Sequence, residues 1–193
     1  MNTSLIKKIQ NAVNVKADGE LGNITLNAIA EKLGIISFDK NKLVEIAKGQ
    51  LGIFETSKNH GQGISKYWTA TNYPEGYSDR APYCAAAVCW MVRETGQFSE
   101  QERPKTALAF GFEGWARERG LTLQKPPQNV RKGDLVIFAF SHVGIAISDS
   151  DSDGNFQTVE ANTSGTSSGD QRDGGGVFQK LRNLGSVRSV VRF

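Results

Sequence analysis

Two cysteines and two histidines are the whole supply of thiol and imidazole in this 193-residue chain. Cys84 and Cys89 fall five positions apart in one segment, APYCAAAVCWMVRETG, residues 81–96. In a helix that spacing separates the Cα atoms by about 8 Å and points the side chains to different sides, beyond the ~4.4–6.8 Å that a disulfide spans. It is neither CxxC nor i, i+4, so the pair suits a metal ion poorly. Two free thiols follow, with different roles. Cys84 stands two residues after Pro82, where the first turn of a helix offers free N–H groups and the positive end of the dipole, both of which stabilise a thiolate. Cys89 stands mid-helix between Val88 and Trp90, where a free cysteine behaves as a small buried apolar residue.

Position alone does not make a thiol reactive, because free cysteine is among the most buried residue types. A base has to reach it. His60 lies in the polar stretch HGQG and reads as a solvated loop residue. His142 opens HVGIAIS, residues 142–148. In a strand, His142, Gly144, Ala146 and Ser148 share one face, and Val143, Ile145 and Ile147 the other. A histidine followed only by small residues makes a face that another element can approach closely. The expectation is that the start of the Cys84 helix lies across it and brings the sulfur to the imidazole. A third group should orient the ring. FQTVEANTS puts Phe156, Thr158, Glu160 and Asn162 on one face, and the Asp/Gly turn before it makes a hairpin with HVGIAIS. Glu160 or Asn162 then comes near His142.

The elements that must hold these groups are helical first and extended later. Residues 3–13 carry Leu5, Ile6, Ile9 and Val13 at helical spacing, and Asp18-Gly19 and Gly22 punctuate a turn. NITLNAIAEKLG, residues 23–34, predicts a second helix with Leu26, Ile29, Ala30 and Leu33 on one face and Gly34 as its stop. Two short helices cannot bury a core of their own, so they must lean on something else. A helix over 41–51 takes Asn41 as N-cap and Leu43, Val44, Ala47 and Leu51 inward. ISKYW is a short helix, the cysteine helix runs from about Pro82 to Gly96, and another covers 105–119 with Leu108, Phe112 and Trp115 on one stripe. After Pro126-Pro127 come DLVIFAF, HVGIAIS, FQTVEA, GVFQKL and SVRSVVRF, short β-rich runs joined by Gly, Ser and Asp. That order predicts an α+β fold. NTSGTSSGDQRDGGG, residues 162–176, reads as a mobile loop between strands.

Composition narrows the function classes. Apolar content of 38% and charged content of 22% are those of a globular protein. A net charge of +3 without any Lys/Arg run offers no stripe for nucleic acid. No 18-residue apolar run exists to insert in a membrane. MNTSLIKKIQNAVNV is amphipathic and unlike a secretory signal, so the expected starting compartment is a cytoplasm.

PYCAAAVCWMV, then GDLVIF and SHVGIAI, then VEANTSG, GGGV and a terminal basic strand, in that order, resemble the CHAP family of cysteine, histidine-dependent amidohydrolases and peptidases. The resemblance covers roughly residues 42–193. It implies a papain-like (NlpC-like) α+β fold, with the thiol helix packed on an antiparallel sheet of about five strands. It also implies Cys84 as nucleophile, His142 as general base, Glu160 and Asn162 as the third and fourth site positions, and Tyr83 as an aromatic that meets substrate. AAAV departs from the more usual AAFV of the family. Residues 1–36 look like a shortened peptidoglycan-binding helical domain, on the strength of DGELG followed by TLNAI.

The implied reaction is hydrolysis of an amide in the peptide part of bacterial peptidoglycan through a thioester, by an N-acetylmuramoyl-L-alanine amidase or an endopeptidase. No cofactor is implied, and the expected state is a monomer. A phage endolysin held in the host cytoplasm until release to the wall is the context that fits, with an exported bacterial effector as the alternative. A non-enzymatic wall-binding or tail protein would predict erosion of the Cys/His/Glu set, which this sequence retains. DSDSDGNFQTVE, residues 149–160, also matches a calcium-loop pattern. Its flanks read as strands, and Glu160 would stand about 13 Å from the turn at ~3.3 Å per residue. Asp149, Asp151 and Asp153 therefore read as a plain turn, with calcium as the lesser alternative.

Overall fold

The computed structural model describes residues 2–33 and 38–193. Its α-helices are α1 (Thr3–Ala12), α2 (Asn23–Lys32), α3 (Lys40–Lys48), α4 (Ser65–Trp68), α5 (Cys84–Glu94) and α6 (Gly111–Glu118). The strands follow: β1 (Thr122–Gln124), β2 (Leu135–Phe138), β3 (His142–Ala146), β4 (Asn155–Thr163), β5 (Gly176–Asn183) and β6 (Val187–Arg192). They form one antiparallel sheet in the order β1-β6-β2-β3-β4-β5. The protein is α+β. Six strands stand where about five were expected. The extra one, β1, is three residues long and pairs only with β6, too short to show a period-2 pattern.

Alternation divides the sheet's two faces. Leu135, Ile137, Val143, Ile145, Val159 and Ala161 meet the helices in the main core, where Leu43 and Val44 of α3 and Phe112 and Trp115 of α6 also lie. Each large apolar side chain buried this way contributes about 1.5–3 kcal/mol. Val136, Phe138, Ala146, Phe156, Val187 and Val190 build a smaller core on the opposite face. α5 is buried from Cys84 through Cys89 and again at Met91 and Val92. A helix apolar on nearly every side belongs in an interior.

Several local expectations are corrected. The N-cap of α3 is Asp39, whose Oδ1 accepts from the Lys42 N–H at 3.0 Å. Asn41 instead accepts from Lys132 Nζ, and Leu51 lies past the helix end, exposed. α6 begins at Gly111 rather than near 105. Ahead of it the Thr106 hydroxyl takes the Leu108 N–H at 3.0 Å, a local bond that competes with helix formation. Leu108 is left 71% exposed, off the stripe that Phe112 and Trp115 keep. Leu26 and Leu33, expected inward, are exposed. Gly34, the expected stop of α2, lies outside the described residues. Residues 164–175 connect β4 to β5 and are tied within themselves by Ser164 N to Asp170 O at 2.9 Å and to β5 by Lys180 Nζ to Ser164 O at 2.6 Å.

The α1–α2 turn is organised by one buried amide. Gln10 Nε2 donates to Asp18 Oδ1, the Glu20 carbonyl and Thr25 Oγ1, while its Oε1 accepts from the Gly19 N–H at 2.8 Å. Gly19 holds φ +87°, which a side chain would strain. Ile24 of α2 rests against Gly120 after α6, so this unit does lean on the rest of the chain.

Candidate active site

Cys84 is the first helical residue of α5, directly after Tyr83 at the N-cap. The first residue to bond back along the chain is Ala87, whose N–H reaches the Tyr83 carbonyl at 2.9 Å. The Cys84 N–H therefore has no intrahelical acceptor. Its sulfur is not sealed: Cys84 retains 5% exposure and lines a cleft of about 280 Å³ with Trp68, Tyr73, Leu108, Ser141 and Arg172.

His142 opens β3, fully buried, just after Ser141, whose φ of +62° turns the chain out of β2. The ring stacks near Phe140, with centroids 5.8 Å apart. Its Nε2 is 3.1 Å from Glu160 Oε2. That separation is close, but neither ring nitrogen completes a well-aligned hydrogen bond; catalytic bonds often tighten only around substrate. Burial pulls the imidazole down, yet its interactions with the Cys84 sulfur and with Glu160 together raise it to about 9.

Glu160 of β4 pairs across the sheet with Gly144 of β3. A Cβ on Gly144 would sit 2.6 Å from Glu160 Cγ. The carboxylate arm thus crosses over the glycine on its way to His142. It accepts Nε and Nη2 of Arg182 at 2.8 and 2.6 Å and the Thr158 hydroxyl at 2.5 Å. Burial would raise this carboxyl, but Arg182 and His142 outweigh it and hold it at about 2. Arg182 lies over the Phe138 and Phe140 rings at 5.3 and 5.5 Å.

The structure brings Cys84, His142 and Glu160 together, by a route that differs from the expected one. α5 packs on the Val143 and Ile145 face of β3, not on the His142, Gly144 and Ala146 face. Cys84 meets His142 at the end of the strand. The small residues of β3 make room for Glu160 rather than for the helix.

Asn162 turns elsewhere. In a bulge at φ +60°, it accepts the Tyr83 N–H on Oδ1 at 2.9 Å and donates from Nδ2 to Asn59 Oδ1 at 2.8 Å. It anchors the start of α5, and Glu160 is the partner of the imidazole. Tyr83, expected to meet substrate, is fully buried and stacks with Tyr67. Burial first, and the nearby Glu55 second, push its phenol up. It has no surface to offer a ligand and serves packing instead. Cys89 is sealed in the core with Sγ 3.3 Å from the Thr106 carbonyl, and burial pushes its thiol up. His60 is half-buried against Tyr77, at 4.1 Å between ring centroids.

Arg182 and Thr158 were missed as site residues. The signal is strand parity: the β4–β5 register pairs Glu160 with Phe178 and Phe156 with Arg182, which puts Arg182 on the face of Glu160. A twelve-residue connection hides that register in the sequence. The acidic turn is occupied by its own backbone. Asp151 Oδ1 accepts from the Asp153 and Asn155 N–H groups, and Asp149 Oδ1 from that of Lys132. Among the described residues no three His, Cys, Asp or Glu side chains gather to hold a metal ion.

Residues 72–162 match the family model of the CHAP domain. No curated protein and no solved structure matches the chain. The CHAP match takes in Cys84, His142, Glu160 and Asn162, and Arg182 lies beyond it. A CHAP domain indicates peptidoglycan hydrolase activity of the amidase or peptidase kind. No helix among the described residues is long and apolar enough to cross a membrane.

Proposed function

We propose that this protein hydrolyses an amide in the peptide part of bacterial peptidoglycan, with Cys84 as nucleophile, His142 as general base and acid, and Glu160 orienting the ring. The observation that carries this reading is a cleft-lining thiol at a helix start beside a buried imidazole that faces an ionised carboxylate. The six-stranded antiparallel sheet and the CHAP match support a papain-like fold.

In this mechanism the proton shared by Cys84 and His142 rests on the imidazole as the thiolate adds to the scissile carbonyl carbon. The Cys84 N–H, free of intrahelical bonding, faces the developing oxyanion. The imidazolium then gives its proton to the leaving amine as the C–N bond breaks, leaving a thioester. Water, deprotonated by the neutral imidazole, adds to the thioester; its collapse frees the acid and returns the proton to sulfur. A His142 raised to about 9 keeps the imidazolium available to the leaving amine at neutral pH.

A phage endolysin is the context we favour, with residues 1–36 as a wall-binding segment and 42–193 as the catalytic unit. It would act as a monomer held in the host cytoplasm until release. The test is mass spectrometry of fragments that the full-length protein releases from purified peptidoglycan. New amine and carboxyl termini are expected with the native chain and none with Cys84→Ala at unchanged melting temperature. Release of the same fragments by Cys84→Ala would refute the thiol mechanism.

A further inference from the structure

The wall of the cleft around Cys84 is largely apolar, built from Trp68, Tyr73, Ala107 and Leu108 among others. Arg172 is the one residue with a formal charge that lines it. Its backbone is firmly set. Asp170 Oδ1 accepts the Arg172 and Asp173 N–H groups at 2.8 and 2.9 Å, and Asp173 Oδ1 accepts from Asn162 Nδ2 at 3.2 Å. Asn162 is also the residue that holds the Tyr83 N–H at the start of α5. One chain of bonds therefore ties the Arg172 backbone to the start of α5. The Arg172 side chain is exposed and its charge reaches Asp170, but its guanidinium makes no hydrogen bond or ion pair to the described residues, whereas Arg182 and Arg192 each grip a carboxylate through two nitrogens.

A planar cation left unpaired at an apolar cleft is matched by a carboxylate, which it can take through two parallel N–H bonds. The cleft shares Tyr73, Ala107 and Leu108 with a larger polar groove of about 620 Å³, which Arg172 does not line. A polymer can thus run past Cys84 and leave an acidic group at the Arg172 end. We propose that Arg172 is a specificity-determining residue that binds a free carboxylate of the substrate peptide near the scissile amide, so that the acid form is preferred over the carboxamide. This rests on the amide-hydrolase reading above.

The probes are one muramyl pentapeptide with its carboxylates free and the same peptide with them amidated. Calorimetry with Cys84→Ala protein should show the acid form bound about 10-fold or more tightly, the scale of a charge-assisted pair. The preference should shrink as salt is raised. In Cys84→Ala/Arg172→Gln the ratio should fall to about one, and Arg172→Lys should restore part of it. On the Cys84 background, Arg172→Gln should raise KM for the acid form far more than it lowers kcat. Equal affinity for the two forms, or a preference that survives Arg172→Gln, overturns the proposal. If the native chain still digests peptidoglycan, only the role of Arg172 is lost; if it digests nothing and binds neither form, the hydrolase reading falls with it.

Discussion

His142 holds its proton up to about pH 9 because its interactions with the Cys84 sulfur and with Glu160 outweigh the cost of burial. With the imidazolium as the acid of the reaction, kcat/KM should fall as pH rises through about 9. Glu160→Gln removes the carboxylate, so the alkaline limb should move down by about a unit or more, and the unpaired Arg182 should cost about 3 kcal/mol of stability. The linkage runs in two directions. The raised His142 contributes stability that is complete below its usual 6.5 and is lost as pH climbs through about 9. The lowered Glu160 contributes stability present above its usual 4.5 and lost as pH falls towards about 2. Urea melts at a series of pH values should therefore show a plateau between these windows, and Glu160→Gln should flatten the acid flank. An acid flank unchanged in the variant would contradict this assignment. At this scale the sequence was informative: Cys84 and His142 are each visible from local pattern, and Glu160 is one of two candidates with Asn162. Arg182 was not, because its place depends on a register that no local pattern contains.

β3 and β4 illustrate how an element creates a site by leaving something out. Gly144 has no side chain, and Glu160 lies across the vacant position. Gly144→Ala sets a methyl 2.6 Å from Glu160 Cγ and 3.0 Å from the Val159 carbonyl. Overpacking of this kind costs about 1–3 kcal/mol. The acid arm should be pushed off the imidazole, with activity falling at least tenfold and the alkaline limb moving as in Glu160→Gln; Gly144→Ala with native turnover would show that the arm can be re-routed. Alternation correctly assigned His142, Gly144 and Ala146 to one face. It could not say what covers that face, since an approaching helix and an approaching side chain both ask for small residues. α6 is legible in part for a related reason: Phe112 and Trp115 keep their apolar stripe, while Thr106 breaks the first turn through a hydroxyl bond that periodicity does not register.

Across the whole molecule, the acidic turn between β3 and β4 tests how far a motif can be trusted. Asp149 and Asp151 already serve backbone N–H groups, and Glu160 serves His142 and Arg182. A chelator should leave both melting temperature and turnover unchanged, and a drop of several degrees on chelation would reveal a bound cation. The strand order carries a consequence of another kind. Residues 187–192 lie between β1 and β2, so the sheet's two parts are joined only through them. A chain cut short of Val187 would expose the flank of β2 as an open edge. Such an edge offers unpaired N–H and C=O groups to any extended segment, so loss of this strand should favour strand addition between molecules over a merely shortened fold.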